Sequence, residues 1–214
     1  MPDRPPLSAG VLPALLSQVL VAFTIEFDNQ AEQRMVRRTT LGRGDGPQRG
    51  PWLVSLPMWA NFVRFVSADG VPLRDLEGLA AITSLAGLQR WGYVTVDDGP
   101  GPLVRLSRGG RHARKVWTPL AAEIEGRWRD RFGTGPADGL RERLAGLAGL
   151  AGQLPPGLPW YLPVVHHAMF AQAPPLSDRV RAADHGDTDL SVLLSRVLLA
   201  SPWTTRTRPT GSRR

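Results

Sequence analysis

Between residues 93 and 106 the hydrophobic period changes, and that change limits the fold more than any other feature of the chain. On either side, apolar residues recur at three- and four-residue steps, the mark of amphipathic helices. Inside it, Tyr93-Val94-Thr95-Val96 and Leu103-Val104-Arg105-Leu106 alternate and are rich in β-formers. Asp98-Gly99-Pro100-Gly101-Pro102 lies between them as turn material. A β-hairpin is expected there. The expected fold class is therefore mostly α with one small β-hairpin, an α+β arrangement.

The helical segments can be placed from their stripes. Leu12, Leu15, Leu16, Val19, Leu20 and Phe23 form one face of a first helix over Val11–Arg34, whose far end is polar (Glu26, Asp28, Asn29, Glu32, Gln33). Such a helix must pack on its own domain or on a partner subunit. Residues 37–51 are rich in Gly and Arg and read as a loop. Ser55 is a good N-cap, and Leu56, Trp59, Phe62, Val63 and Val66 predict a second helix, ended by Asp69-Gly70. Residues 72–80 and 82–90 predict two short helices with Leu73, Leu76, Leu79, Leu85 and Leu88 inward. After Gly109-Gly110, Val116, Leu120, Ile124 and Trp128 predict a long helix that Pro119 should kink or shift. Glu123 and Glu125 point to different faces of it and read as solvated. Leu140, Leu144, Leu147 and Leu150 mark another helix, in which Gly146, Gly149 and Gly152 read as close packing or low complexity. Residues 155–187 read as a Pro-rich, then charged, linker that lies partly against the domain through Trp160, Tyr161 and Leu162. An apolar helix is expected over residues 190–200.

Composition narrows the chemistry. The 214 residues, 42 % hydrophobic and 21 % charged, suit a globular chain of one or two domains. Cysteine is absent, which removes disulfides, thiolate metal sites and a cysteine nucleophile. No apolar run reaches the roughly 18 residues of a membrane span. Residues 11–23 are interrupted by Pro13, Ser17 and Gln18, with no cleavage site after them, so no signal peptide is expected and the default compartment is the cytoplasm. His166 and His167 are adjacent and point apart in any regular element, so no metal is expected. No nucleophile elbow, P-loop or zincin pattern occurs. An enzyme, and a cofactor, are not expected.

The net charge is +7. Arg206, Arg208, Arg213 and Arg214 place more than half of it in the last fourteen residues, without an acid. Elsewhere the basic residues gather in LVRLSRGGRHARK (103–115), which holds Arg105, Arg108, Arg111, Arg114 and Lys115 and no acid. Arginines in such a run can neutralise phosphates.

The order helix, helix, two short helices, hairpin, helix is the winged helix-turn-helix plan, in which a short helix enters the major groove and the hairpin reaches the flanking backbone. The segment LRDLEGLAAITSLAGLQRWGYVTVDDGPGPLVRLSR (73–108) resembles the MarR family of bacterial regulators. "LQRWGYVTV" stands at the entry to the wing and "LVRLSRGGR" at its exit. "GRWRDRFG" and "LRERL" resemble the family's C-terminal dimerisation helices. The resemblance covers about residues 10–154, and more narrowly points to actinobacterial members with two such units in tandem. From Leu76 to Gly92, however, the chain is more than a helical turn shorter than the family's spacing. The resemblance implies a transcription regulator that binds duplex DNA as a homodimer, with the stripe from Leu12 to Phe23 as a dimer surface. Thr83, Ser84, Gln89 and Arg90 would face the groove; Arg105, Arg108 and Arg111 would clamp phosphates. Trp52, Trp59, Phe62 and Trp117 read first as core packing; the resemblance adds a pocket for a small aromatic effector. The rival reading is a winged-helix module for protein interaction or ligand sensing that has lost specific DNA binding.

An internal repeat stands apart from this. LLSRVLLA (193–200) matches LLSQVLVA (15–22) at six of eight positions, and Leu190 matches Leu12. Three parts are therefore expected: residues 1–154 as the winged unit with flanking helices, 155–187 as linker, and 188–214 as the first helix of a truncated second unit with a disordered basic tail.

Overall fold

The computed structural model describes residues 11–35, 55–76, 85–150 and 189–199. Helix α1 spans Val11–Arg34 and α2 spans Ser55–Asn61, followed by a 3₁₀ turn over Val63–Phe65. Strand β1 is Val71–Pro72, and residues 73–76 begin a helix. Then come α3 (Leu85–Arg90), β2 (Val94–Val96), β3 (Leu103–Leu106), α4 (Arg108–Phe132), α5 (Thr134–Leu150) and α6 (Leu190–Leu199). The described chain is mostly helical, with one small antiparallel sheet in the order β1-β3-β2.

The stripe of α1 divides along its length. Leu16, Leu20, Phe23, Phe27 and Ala31 are buried, while Leu12 and Leu15 stay exposed. Phe23 meets the edge of Trp128 of α4 at 5.6 Å between ring centroids. Beside it, Glu26 accepts hydrogen bonds from Arg127 Nε and Trp128 Nε1, both at 2.8 Å. At the far end Arg34 pairs with Glu123 at 2.6 Å. Helix α1 is thus fastened along α4 by one aromatic contact and three polar ones.

Several boundaries differ from the sequence-based expectation, each for a physical reason. Asp28 belongs to the expected polar end of α1, yet it is fully buried. Its Oδ1 accepts from the amide of Leu56 at 2.8 Å. The cap of α2 is therefore an aspartate from another helix, and Ser55 is the helix's first residue rather than its N-cap. Helix α2 does not continue to Val66, because Phe62 leaves helical geometry at φ −145°, ψ −62°. Pro72 belongs to a strand instead of opening a helix. Val71 pairs with Val104 and Pro72 with Leu103, and proline is tolerated at that sheet edge because it owes no donor there.

Helix α4 starts at Arg108, ahead of the two glycines expected to precede it. Ser107 is its N-cap: its hydroxyl accepts from Gly110 N at 3.0 Å and donates to the carbonyl of Gly92. The glycines serve contact. A Cβ on Gly110 would lie 1.9 Å from the carbonyl oxygen of Tyr93, and one on Gly109 2.7 Å from that of Gly92. The helix runs through Pro119 without interruption and stops at Gly133, whose φ of +88° suits glycine. Helix α5 begins at Thr134, well before Leu140. A Cβ on Gly146 would meet nothing within 4 Å, so close packing is not its role.

Glu125 overturns the expectation that it is solvated. It is buried; its Oε1 accepts from the amide of Leu190 at 3.0 Å, and its Oε2 pairs with Arg141. One side chain of α4 thereby meets both α5 and the first amide of α6. Helix α6 lies against α1 and α5, with Leu190, Leu193 and Leu194 joining the same core as Phe23, Trp117 and Ile124. The expected linker over 155–187, with Trp160, Tyr161 and Leu162, lies outside the described residues, as does the tail 200–214. No described helix is long and apolar enough to cross a membrane.

Candidate nucleic-acid interface

The basic run 103–115 is built where the sheet meets the start of α4. Leu88 of α3 anchors that junction from inside, and Tyr93 packs on Trp117 with centroids 5.5 Å apart. Gly92 at φ +75° turns the chain from α3 into β2. The carbonyls of Gly92 and Tyr93 then pack on the first turn of α4. The end of α3, the foot of the hairpin and the beginning of α4 therefore share one corner of the molecule.

The arginines there have separate roles. Arg105 on β3 donates to Asp97 Oδ2 at 3.2 Å and to the carbonyl of Asp69. It braces the hairpin against the turn before β1, and it neutralises one of the two acids at the hairpin's end. Arg111 is exposed yet donates to the carbonyl of Leu106 at 2.7 Å. Arg114 donates to the carbonyl of Val66 at 3.0 Å. Arg108 and Lys115 are exposed and have no partner among the described residues. No acid occupies the first turn of α4, so its N-terminal amides add positive potential to the same corner. Gln89 and Arg90 are exposed at the end of α3, Arg90 lying 5.7 Å from the ring centroid of Trp91. Thr83 and Ser84 lie outside the described residues. The structure thus brings Gln89, Arg90, Arg105, Arg108 and Arg111 to one region, with Arg108 the freest of them.

The aromatic set stands elsewhere. Trp59, Phe62 and Trp117 are buried core side chains, and Trp52 lies outside the described residues. A groove of about 880 Å³ opens on a different face. Leu15, Ala22 and Ile25 of α1 form one wall; Trp128 and Phe132 of α4 and Leu140 of α5 form the other. Arg131 and Glu26 are the charged groups on it. Burial pushes the Glu26 carboxyl up, but hydrogen bonds from Arg127 and Trp128, with the charges of Arg127 and Arg131, outweigh burial and hold it below its ordinary value. It remains an anion tied to α4. Only Leu15 of the named wall residues on α1 belongs to the stripe that predicts the helix, while Ala22 and Ile25 lie off it; the opposite wall depends on where α4 and α5 cross, which periodicity does not encode.

No group of three or more His, Asp or Glu residues able to hold a metal occurs among the described residues. Comparison of the chain with family profiles, with curated proteins and with solved structures finds no match.

Proposed function

We propose that this chain is a winged-helix DNA-binding regulator of the MarR-like type, working as a pair of copies in the cytoplasm. The observation that carries the reading is the corner just described: a short helix, a three-stranded sheet and the acid-free start of α4 gathered around exposed arginines. In this reading Arg108, Arg111 and Lys115 contact phosphates, and the amides at the start of α4 help them. Gln89 and Arg90 face the groove of the duplex, together with Thr83 and Ser84. Arg105 supports them by keeping the hairpin in place. No catalytic role is assigned.

Fluorescence anisotropy on duplex DNA tests it. The double variant Arg108→Glu, Arg111→Glu should bind at least tenfold more weakly on every duplex sequence. Its dependence of log affinity on log salt should flatten by about one to two units, since each lost phosphate contact removes roughly 0.9. Unchanged affinity and slope would remove the DNA reading.

The groove between α1 and α4 favours a second reading, a winged-helix module that senses a ligand or binds protein without reading bases. Its Trp128 and Phe132 walls suit a flat aromatic molecule, and Arg131 suits an acid on it. Calorimetric titration of the full chain with simple aromatic acids, with Phe132→Ala as control, separates this from DNA binding alone.

A further inference from the structure

Helix α6 repeats the beginning of α1, and the two copies differ in what covers them. Residues 193–200 and 15–22 agree at six of eight positions. Leu190 and Leu193 are each 4 % exposed, whereas their counterparts Leu12 and Leu15 are 49 % and 43 % exposed. Val192 and Ser195 are buried, and their counterparts Ala14 and Ser17 are exposed. Leu194 and Leu16 are buried in both. The same sequence pattern therefore has both flanks of its apolar face covered in α6, whereas in α1 the flank of Leu12 and Leu15 is left bare.

What covers α6 is a seat made by α1, α4 and α5. Its polar centre is Glu125, buried, paired with Arg141, and accepting from the first amide of α6. A carboxylate in that position suits the unpaired amides and positive end of any arriving helix. Helix α1 offers the same complement: leucines at the matching positions and no acid in its first turn.

We infer that this seat is specific for an α1-type helix, that α6 fills it within the chain, and that α1 of a second copy takes it when α6 leaves. Helix α6 is then an autoinhibitory helix that competes with self-pairing. This rests on the pairing proposed above and is independent of the DNA contacts. The pairing covers Leu12 and Leu15, which the single chain leaves in water, and exposes α6 in exchange. Each seat is filled by one helix of the same pattern in either state, so the exchange responds to anything that binds α6.

Sedimentation velocity of the full chain without DNA tests it. The wild type should be mostly monomeric at low micromolar concentration. Ser195→Arg places a guanidinium where the side chain is fully buried, and should strengthen self-association, lowering the dimer dissociation constant at least tenfold. Adding Leu12→Asp and Leu15→Asp to that variant should restore the monomer. A folded Ser195→Arg chain that stays monomeric, or a dimer that survives the α1 changes, overturns the inference. Hydrogen exchange on the wild type serves if Ser195→Arg does not fold. As concentration drives pairing, amides of α6 should exchange at least tenfold faster while those of α4 hold. Pairing with α6 still protected removes the competition and leaves the pairing; no pairing at millimolar concentration removes both.

Discussion

Asp28 sits inside α1 with one oxygen on the amide of Leu56 and the other, Oδ2, buried without a hydrogen-bond partner. Burial pushes its carboxyl up to about 7, against the smaller opposing pull of the Leu56 and Ser55 amides. A carboxyl raised in the folded state contributes stability that is full below its unfolded value and is lost as pH rises through the folded one. The window is therefore about pH 4 to 7, and the loss amounts to roughly 4 kcal/mol at its upper end. Urea unfolding across that range should show the decline in the wild type and a much flatter profile in Asp28→Asn. Arg105→Ala tests a different residue. Its pair with Asp97 is half-exposed, so the loss in stability should be no more than about 1 kcal/mol, with DNA affinity reduced less than by charge reversal at Arg108 and Arg111. At this scale the sequence identifies charged groups but not their partners. Asp28 follows Phe27 and Glu125 follows Ile124, each on the flank of a buried stripe. Pattern reading places such acids in solvent, because the helix ends they cap come from distant parts of the chain.

The same division holds for elements. The hairpin is legible because alternation over three or four residues with Gly99 and Gly101 between has few other solutions; both glycines adopt positive φ. Strand β1 is not legible: two residues carry no period, and only the pairing with β3 makes them a strand. The start of α4 is misread for a related reason. Glycine normally marks a helix boundary, but here Ser107 caps the helix and Gly110 lets it touch the backbone of Tyr93. Gly110→Ala should therefore destabilise the protein by about 1–3 kcal/mol or more, because the obstacle is a carbonyl oxygen that cannot rotate away. Gly146→Ala, facing open space on α5, should instead raise stability slightly, by up to about 1 kcal/mol. Chemical denaturation of the pair reads the contrast directly.

For the whole molecule, net charge is a poor guide and the distribution of charge a better one. The arginines of residues 103–115 converge on one corner, and several of them are occupied with the protein's own carbonyls. The sequence shows the cluster but not which members are free. The repeat of α1 in α6 is visible in the sequence too, whereas the contrast in burial between the copies emerges only from packing. One tether described above also sets a timetable. Glu26 of α1 is held by Trp128, 102 residues further along the chain, and the Phe23 contact with the same indole spans a similar distance. A ribosome adding roughly 5–20 residues per second takes about 5–20 s to supply that distance. During synthesis α1 is made long before the helix that shelters its phenylalanines. For that interval Phe23 and Phe27 are exposed on a nascent chain, and a chaperone that grips aromatic helices has its opportunity before α4 emerges.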